Sequence, residues 1–509
     1  MANGLESAMT AKTWRRARQA VQILAAVLFV YLLLGTRQGL PTFLPHDLFF
    51  RLDPLAGATA MLAGRRWIAA LALGVATLAL AVLAGRAWCG WLCPLGAALD
   101  WTRPRRSREG DPRGNWRSVK HGLLLVILFA ALLGNLTLLV LDPLTLLFRT
   151  MTAAVLPAVN ALLTAAESAL YAIGPLQRPL EWVDGVLRGA GLVGGEPAFQ
   201  QGVVLALVFA GVLALNVIRP RFWCRYLCPL GALLGLVSKA SLLRHHVDAD
   251  ACVACGKCAR ACPTGTVDPA RGYAADPSEC TLCLDCAAVC PTNAVAFRWH
   301  LVPADWREYD PSRRQALVSL GVAVAGVGLL RAAPAARRDH PRLIRPPGAR
   351  ENGLLDKCVR CGECMKVCPT SGLQPSLDVA GLEGLWTPVL VPRLGYCDYS
   401  CHSCGQACPT GAIPPLSLDD KRQAVIGVAY IDENRCIPWA DGVDCIVCEE
   451  MCPVPDKAIQ LDVQTVTRPD GTVAEVRRPR VIRERCIGCG ICEYKCPLNG
   501  EAAIRVYAP

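Results

Sequence analysis

Cys252-Val-Ala-Cys255-Gly-Lys-Cys258-Ala-Arg-Ala-Cys262-Pro263 and Cys280-Thr-Leu-Cys283-Leu-Asp-Cys286-Ala-Ala-Val-Cys290-Pro291 are two copies of one pattern, CxxCxxCxxxCP. Three closely spaced thiolates on a tight loop can face a single cube of iron and sulfide. The fourth points away and, where two such runs pair, ligates the other cube. The spacing therefore assigns Cys252, Cys255, Cys258 and Cys290 to one [4Fe–4S] cluster, and Cys262, Cys280, Cys283 and Cys286 to a second. Structural zinc sites use separated CxxC pairs instead. A disulfide framework belongs to small secreted domains, not to 509 residues with long apolar stretches.

The same pattern extends along the chain. Four further sets end in Cys-Pro: Cys358, Cys361, Cys364, Cys368; Cys397, Cys401, Cys404, Cys408; Cys436, Cys445, Cys448, Cys452; and Cys486, Cys489, Cys492, Cys496. The second and third of these carry insertions after the first cysteine, which a cube tolerates because only the thiolate position matters to it. Six [4Fe–4S] clusters are expected, with these 24 cysteines as iron ligands. The remaining four of the 28 cysteines are Cys89, Cys93, Cys224 and Cys228.

The apolar residues concentrate in the first half. Stretches near Ala20–Gly35, Trp67–Ala84, Gly122–Leu141 and Gly202–Ile218 approach the length of a bilayer crossing, and a shorter one lies at Ala316–Leu330. Met151–Gly174 is interrupted by Pro157, Asn160 and Glu167 and reads as an interfacial or periplasmic helix. The net charge is +11, but the basic residues gather at the ends of apolar stretches, as in membrane proteins and unlike nucleic-acid binders. Lys12, Arg15, Arg16 and Arg18 precede the first span. Arg86, Arg103, Arg105, Arg106, Arg108, Arg113, Arg117 and Lys120 come after the second, and Arg219, Arg221, Arg225, Lys239 and Arg244 after the fourth. The connection between spans three and four holds five acids and only Arg149, Arg178 and Arg188. Basic loops remain in the cytoplasm, so both ends of the four-span unit are expected there.

Arg86-Ala-Trp88-Cys89-Gly-Trp-Leu92-Cys93-Pro94-Leu95-Gly96-Ala97 returns as Arg221-Phe-Trp223-Cys224-Arg-Tyr-Leu227-Cys228-Pro229-Leu230-Gly231-Ala232. This internal duplication places four thiols near one membrane face. Each i, i+4 pair shares a face if locally helical. Two readings stand: buried structural thiols, or a redox or metal-binding site near a quinone pocket. Trp88 and Trp223 suit an interfacial aromatic belt.

Beyond the first two-motif segment, Ser312-Arg313-Arg314-Gln315-Ala316-Leu317 opens a modest apolar run. It reads as a twin-arginine export signal or as a fifth span, and either carries the downstream chain across the membrane. Six arginines between Arg331 and Arg350 oppose that direction, and Ala333-Pro-Ala-Ala336 could be a cleavage site. The expected organisation is a membrane domain over 1–243, a two-cluster ferredoxin domain over 244–306, the twin-arginine-like segment over 307–335 and a four-cluster domain over 336–509. The fold class is an α-helical membrane bundle of about four spans with ferredoxin-like α+β domains after it. No CxxCH, no phosphate-binding loop and no dinucleotide fingerprint occurs, so c-type haem, flavin, NAD and ATP are not expected. His121 sits at a span's edge and reads as an interface residue.

On these motifs, residues from about Ala11 to Trp306 resemble the NapH/MauN family of membrane ferredoxin-type proteins. The stretch from about Ser312 onward resembles the NapG/MauM family, and the two, usually separate polypeptides, look fused. The resemblance implies quinol oxidation at the inner membrane of a bacterium, with electrons passing from the quinol pool to a periplasmic oxidoreductase such as nitrate reductase, or to a cytochrome. Its alternative implication is a maturation factor of the methylamine dehydrogenase type. The loop charges and the twin-arginine-like segment, not the resemblance, place the first two clusters in the cytoplasm and the last four in the periplasm. By analogy with four-cluster iron–sulfur subunits, the resemblance implies a nested pairing: Cys496 would complete the Cys358 set, Cys368 the Cys486 set, Cys452 the Cys397 set and Cys408 the Cys436 set.

Overall fold

A computed structural model describes residues 11–38, 44–104, 116–189, 199–300, 313–332, 340–467 and 472–509. Arg105, Arg106, Arg108 and Arg113, Ser312 and the candidate cleavage site at Ala333–Ala336 lie outside them. The chain divides into two compact units. The first comprises Met1–Leu33, Thr42–Phe148 and Ala206–Val327; the second comprises Leu34–Pro41, Arg149–Leu205 and Gly328–Pro509.

In the first unit, apolar sequence becomes helix, but in shorter pieces than the hydropathy alone suggests. Trp67–Ala84 resolves into a 3-10 turn at Ala69–Leu73 and a helix at Gly74–Ala84. Gly122–Leu141 becomes a helix over Arg117–Leu132 and, beyond Gly134 in the left-handed region, a 3-10 turn over Thr137–Leu141. Among the described residues two helices are long and apolar enough to cross a membrane, Thr13–Thr36 and Pro143–Tyr171. The second extends well ahead of Met151, with a widened π-type turn at Met151–Val155 in place of a helix start. The shorter apolar helices include Pro54–Gly64, Gly202–Ile218 and Pro229–Ser238. Asp53 caps the first of these by accepting from the Leu55 and Ala56 amides, with Pro54 at its first position. Leu55, Leu95, Leu99, Leu124, Leu230 and Leu234 are buried in its core, while Leu24, Val27, Val75, Leu207 and Val217 project outward.

The two-motif segment is built into this unit. Strand β1 (Leu243–Val247), just before the first run, pairs antiparallel with β4 (Val295–Trp299), just after the second, from Leu243 opposite Trp299 to Val247 opposite Val295. A short hairpin of β2 (Val267–Asp268) and β3 (Ala274–Ala275) joins the runs between them.

The second unit repeats this plan with little sheet. β5 (Leu373–Pro375) pairs with β6 (Pro388–Leu390) between its first two cysteine runs. β7 (Val428–Ile431) pairs with β10 (Ile504–Tyr507), embracing the last two runs as β1 and β4 embrace theirs. The long hairpin of β8 (Ile459–Thr467) and β9 (Val473–Val481) lies between those two runs. The core of this unit is built largely from the cysteines themselves with Ile344, Leu354, Leu373, Ile413, Ile459 and Ile504.

Candidate iron–sulfur centres

In the four regular runs, the backbone turns left-handed on both sides of the second cysteine. Ala254 and Gly256 flank Cys255, Leu282 and Leu284 flank Cys283, Arg360 and Gly362 flank Cys361, and Gly488 and Gly490 flank Cys489. Alanine, leucine and arginine seldom adopt this region. Its recurrence at equivalent positions winds each loop around a common centre, so that three thiols face inward.

Buried thiols show their partners through the charges that act on them. Burial pushes Cys280 up to about 12, with Cys262 adding to the effect. Cys286 likewise senses Cys283, Cys280 and Cys262. Cys262 thus joins the second run of its pair. In the second unit, burial raises Cys361, reinforced by Cys408 and Cys358, and Cys364 responds to Cys361, Cys358 and Cys408. Cys404 is pushed to about 12 by burial, then by Cys397, Cys368 and Cys401. Cys436 rises to about 11 through burial, Cys445 and Cys496. Cys492 is raised by burial and by Cys489, Cys486, Cys448 and Cys452.

The nested pairing is therefore corrected. The four sets are Cys358, Cys361, Cys364, Cys408; Cys368, Cys397, Cys401, Cys404; Cys436, Cys445, Cys448, Cys496; and Cys452, Cys486, Cys489, Cys492. Each run exchanges its fourth cysteine with its neighbour in sequence. The cause is local: the β5–β6 and β8–β9 hairpins fold adjacent runs onto each other, leaving no need for a long-range exchange. Two of the sets line cavities. One of ≈ 400 Å³, measured with its open mouth, is walled by Cys368, Cys397, Cys401 and Cys404. The other, of ≈ 390 Å³, is walled by Cys436, Cys445, Cys448 and Cys496.

The donor chemistry fits iron–sulfur cubes. Thiols this buried stay protonated when bare, so binding a soft metal centre must displace their protons. Backbone N–H groups already aim at sulfur: Ala429 N–H at Cys486 Sγ (3.4 Å), Ala458 N–H at Cys452 Sγ (3.3 Å) and Ile413 N–H at Cys408 Sγ (3.5 Å). Among the described residues no three His, Cys, Asp or Glu side chains converge tightly enough for one metal ion. A single tetrahedral ion with metal–sulfur bonds of about 2.3 Å needs its sulfurs within about 4 Å of each other. A cube holds its four ligands farther apart.

The sets also abut one another. Cys364 senses Cys404 of the next set, Cys397 N–H donates to the Cys489 carbonyl (2.8 Å), and Cys492 senses Cys448. The order across the second unit is thus the Cys358, Cys397, Cys486 and Cys436 sets.

The pairing yields a direct expectation. Cys361→Ala and Cys408→Ala each remove about four irons, and the double variant also loses only about four, because both residues serve one set. Cys361→Ala combined with Cys496→Ala loses about eight. Iron analysis of the anaerobically purified variants decides it, and the nested pairing gives the reverse result.

The four remaining thiols lie together in the first unit. Each CxxxCP is a widened helical turn rather than a regular one, closed by Cys93 N–H to the Trp88 carbonyl and Cys228 N–H to the Trp223 carbonyl, both 2.9 Å. Cys93 and Cys228 then turn extended and cap the helices Pro94–Trp101 and Pro229–Ser238. Their sulfurs accept from Gly96 N–H (3.4 Å) and Gly231 N–H (3.2 Å).

Several residues that read from sequence as membrane-edge features are buried parts of this site. Arg86, Lys120, Arg221 and Arg225 are not solvated loop charges. Arg86 donates to Glu279 (2.9 Å) and, at 3.4 Å, to the Cys224 carbonyl, while Lys120 bonds the other Glu279 oxygen. Arg221 donates to Asp100 (2.7 Å) and to the Cys89 carbonyl (3.1 Å). Arg225 donates to the Pro263 carbonyl at 2.8 Å. Trp88 and Trp223 are 3% and 5% exposed, so they form no aromatic belt. His121 is buried too, with Nδ1 3.1 Å from the Arg117 carbonyl. The signal available in sequence was the arginine opening each repeat, which recurs with the cysteines.

Ferredoxin-type loops held by paired strands, each gathering four thiols, define an iron–sulfur electron-transfer protein. A family model described as a 4Fe-4S dicluster domain matches residues 272–369, and one described as a 4Fe-4S binding domain matches 245–268 and 479–499. Another 4Fe-4S binding domain model matches 66–110 and 201–248, where the only cysteines are the CxxxCP pairs. The methylamine utilization ferredoxin-type protein MauM of Methylorubrum extorquens is 39% identical over 208 residues, 39% of this chain and 89% of that protein. The ferredoxin-type protein NapG of Escherichia coli is 37% identical over 191 residues, 36% of this chain and 79% of that protein. No solved structure matches the chain. The chain belongs to the NapG/MauM family of ferredoxin-type proteins.

Proposed function

We propose that this chain is a membrane-bound relay that draws electrons from the quinol pool and delivers them to a periplasmic oxidoreductase. The observation that carries this reading is the unbroken succession of four thiol sets through the second unit, the arrangement a conductor requires and a structural scaffold does not. When bound, the clusters supply one-electron carriers. The chain's own residues hold them apart from water, aim N–H groups at their ligands and fix their spacing.

Further support comes from the apolar surfaces. Leu24, Val27, Leu207 and Val217 are exposed on their helices, as a lipid environment favours. On this reading the first unit contributes about four crossings as a NapH/MauN-type module, and the helix Arg313–Ala332 (20 residues) carries the chain to the periplasm. Each of the 24 ferredoxin-run cysteines ligates iron, two sets on the cytoplasmic side and four on the periplasmic side.

The test of function is reduction by a quinol analogue of the full chain in liposomes, read by bleaching of the visible cluster absorption. Bleaching by dithionite without bleaching by the quinol would remove the quinol pool as donor. Sidedness has its own test. A reporter active only outside the cytoplasm, fused after Pro509, is expected to be active, and Arg313→Lys with Arg314→Lys is expected to silence it if export takes the twin-arginine route. Activity retained in that variant leaves a plain membrane span as the carrier.

A further inference from the structure

Neither CxxxCP repeat has enough thiols to hold a cube, yet the fold makes one site of the two. The arginine that opens each repeat reaches the cysteine carbonyl of the other: Arg86 to Cys224 and Arg221 to Cys89. Both arginines are essentially inaccessible to solvent. We infer that Cys89, Cys93, Cys224 and Cys228 jointly hold a seventh iron–sulfur cluster, shared across the internal duplication.

The thiols are mutual neighbours across the repeats: after burial itself, Cys93 senses Cys89 and Cys224, and Cys228 senses Cys224, Cys89 and Cys93. Cys93 and Cys228 also receive backbone N–H groups on sulfur, the device that Cys452 and Cys486 show in the ferredoxin sets. Trp88 Nε1 and Trp223 Nε1, at equivalent positions one residue before the first cysteine of each repeat, are buried donors with no acceptor among the described residues. Buried N–H groups are rarely left so, and the sulfides and thiolates of a cluster are acceptors.

Charge points the same way. Glu279 is shared by Arg86 and Lys120, and Asp100 by Arg221 and Arg18, so each carboxylate meets two cations. Arg18 also reaches Asp285, which has Arg15 and Arg103 of its own. Among the described residues the four buried cations Arg18, Arg86, Lys120 and Arg221 exceed Glu279 and Asp100 by two, with Asp285 already answered by the more exposed Arg15 and Arg103, so at least two positive charges stand beside thiols with no countercharge. A doubly positive cube on four thiolates carries two negative charges and balances them. Buried cations without such a partner are costly.

The site also adjoins a ferredoxin loop. Trp91 Nε1 donates to the Leu282 carbonyl (2.9 Å), and a side chain at Gly90 would collide with the Thr281 carbonyl. Where the first repeat has Gly90 the second has Arg225, which holds Pro263 of the preceding run. The two repeats thereby clasp both stretches that contribute Cys262, Cys280 and Cys283. The inference rests on the iron–sulfur reading of the ferredoxin runs and is independent of the quinol donor.

The experiment compares iron, acid-labile sulfide and spin-quantified EPR of the reduced full chain, purified anaerobically in detergent, between the parent and Cys89→Ala/Cys224→Ala. The parent is expected to hold about 28 irons and the variant about 24, with sulfide falling in step and one reduced centre lost. Cys408→Ala calibrates a four-iron decrement. The decrement is independent of the total, so incomplete loading of the ferredoxin runs lowers both proteins and leaves the difference intact. Equal iron and equal spin in parent and variant overturn the inference. A stoichiometric zinc or copper lost from the variant overturns it as well, since the site then holds a single ion. If the double variant fails to accumulate, Cys93→Ser serves instead: an oxygen ligand is expected to shift one EPR signal, and an unaltered spectrum refutes the seventh cluster.

Discussion

Glu279→Gln is expected to lower the thermal midpoint of the detergent-solubilised protein by roughly 5–15 °C. The carboxylate is 3% exposed and receives Arg86 and Lys120, themselves inaccessible. Removing its charge strands two buried cations at a cost of about 3–5 kcal/mol, as breaking a buried pair does elsewhere. Burial alone would raise Glu279, but Lys120 and Arg86 outweigh it and hold the group down at about 2. On the lysine side burial prevails and leaves Lys120 at about 8, so Arg86 is the steadier of the two partners. Because the folded carboxylate sits below its ordinary value, its contribution is complete at neutral pH and is withdrawn as pH falls from the usual carboxylate range toward 2. Differential scanning of parent and variant between pH 2 and neutrality checks both statements. Equal midpoints would show that the cluster of charges is not what holds these helices to the ferredoxin loop.

Cys404→Ala is expected to reduce quinol-to-acceptor turnover to background while leaving the other sets loaded. Cys404 belongs to the second of the four sets, between those of Cys358 and Cys486. Electron tunnelling weakens steeply with distance, so emptying an interior position opens a gap too wide to cross at a useful rate. The measurement is steady-state reduction of a soluble acceptor, with iron falling by about four as the control. Turnover at the parental rate would place this set off the conducting path.

How much of the molecule is legible in its sequence differs by feature. Spacing alone groups the ferredoxin-run cysteines into six runs, because three thiols on one tight loop already imply a common centre. It also puts Cys262 with Cys280, because two such paired runs exchange their fourth cysteine. It does not reveal the partners of Cys368, Cys408, Cys452 and Cys496. Those depend on hairpins whose strands, such as Leu373–Pro375, are too short to announce themselves. Arg86 and Arg221 are visible as charges but read as solvated, because an unpaired arginine in a loop looks the same until its carboxylate is placed. Glu279 has no motif to mark it beyond standing next to Cys280. The helices track hydropathy, but their breaks at Leu73 and Gly134 do not.

The exchange of arginines between the repeats has a consequence for biogenesis. The first repeat emerges from the ribosome with Cys89 lacking the guanidinium that will engage its carbonyl, and it stays incomplete until Arg221 has been made. Maturation of this corner of the molecule is thus a late event, gated by synthesis of the second repeat. A nascent chain arrested between them has half a socket and nothing to insert. Two fragments separated within 190–198 would have to find each other before either could be finished, which makes the duplicated halves obligate partners and their linkage in one gene a means of keeping them equimolar.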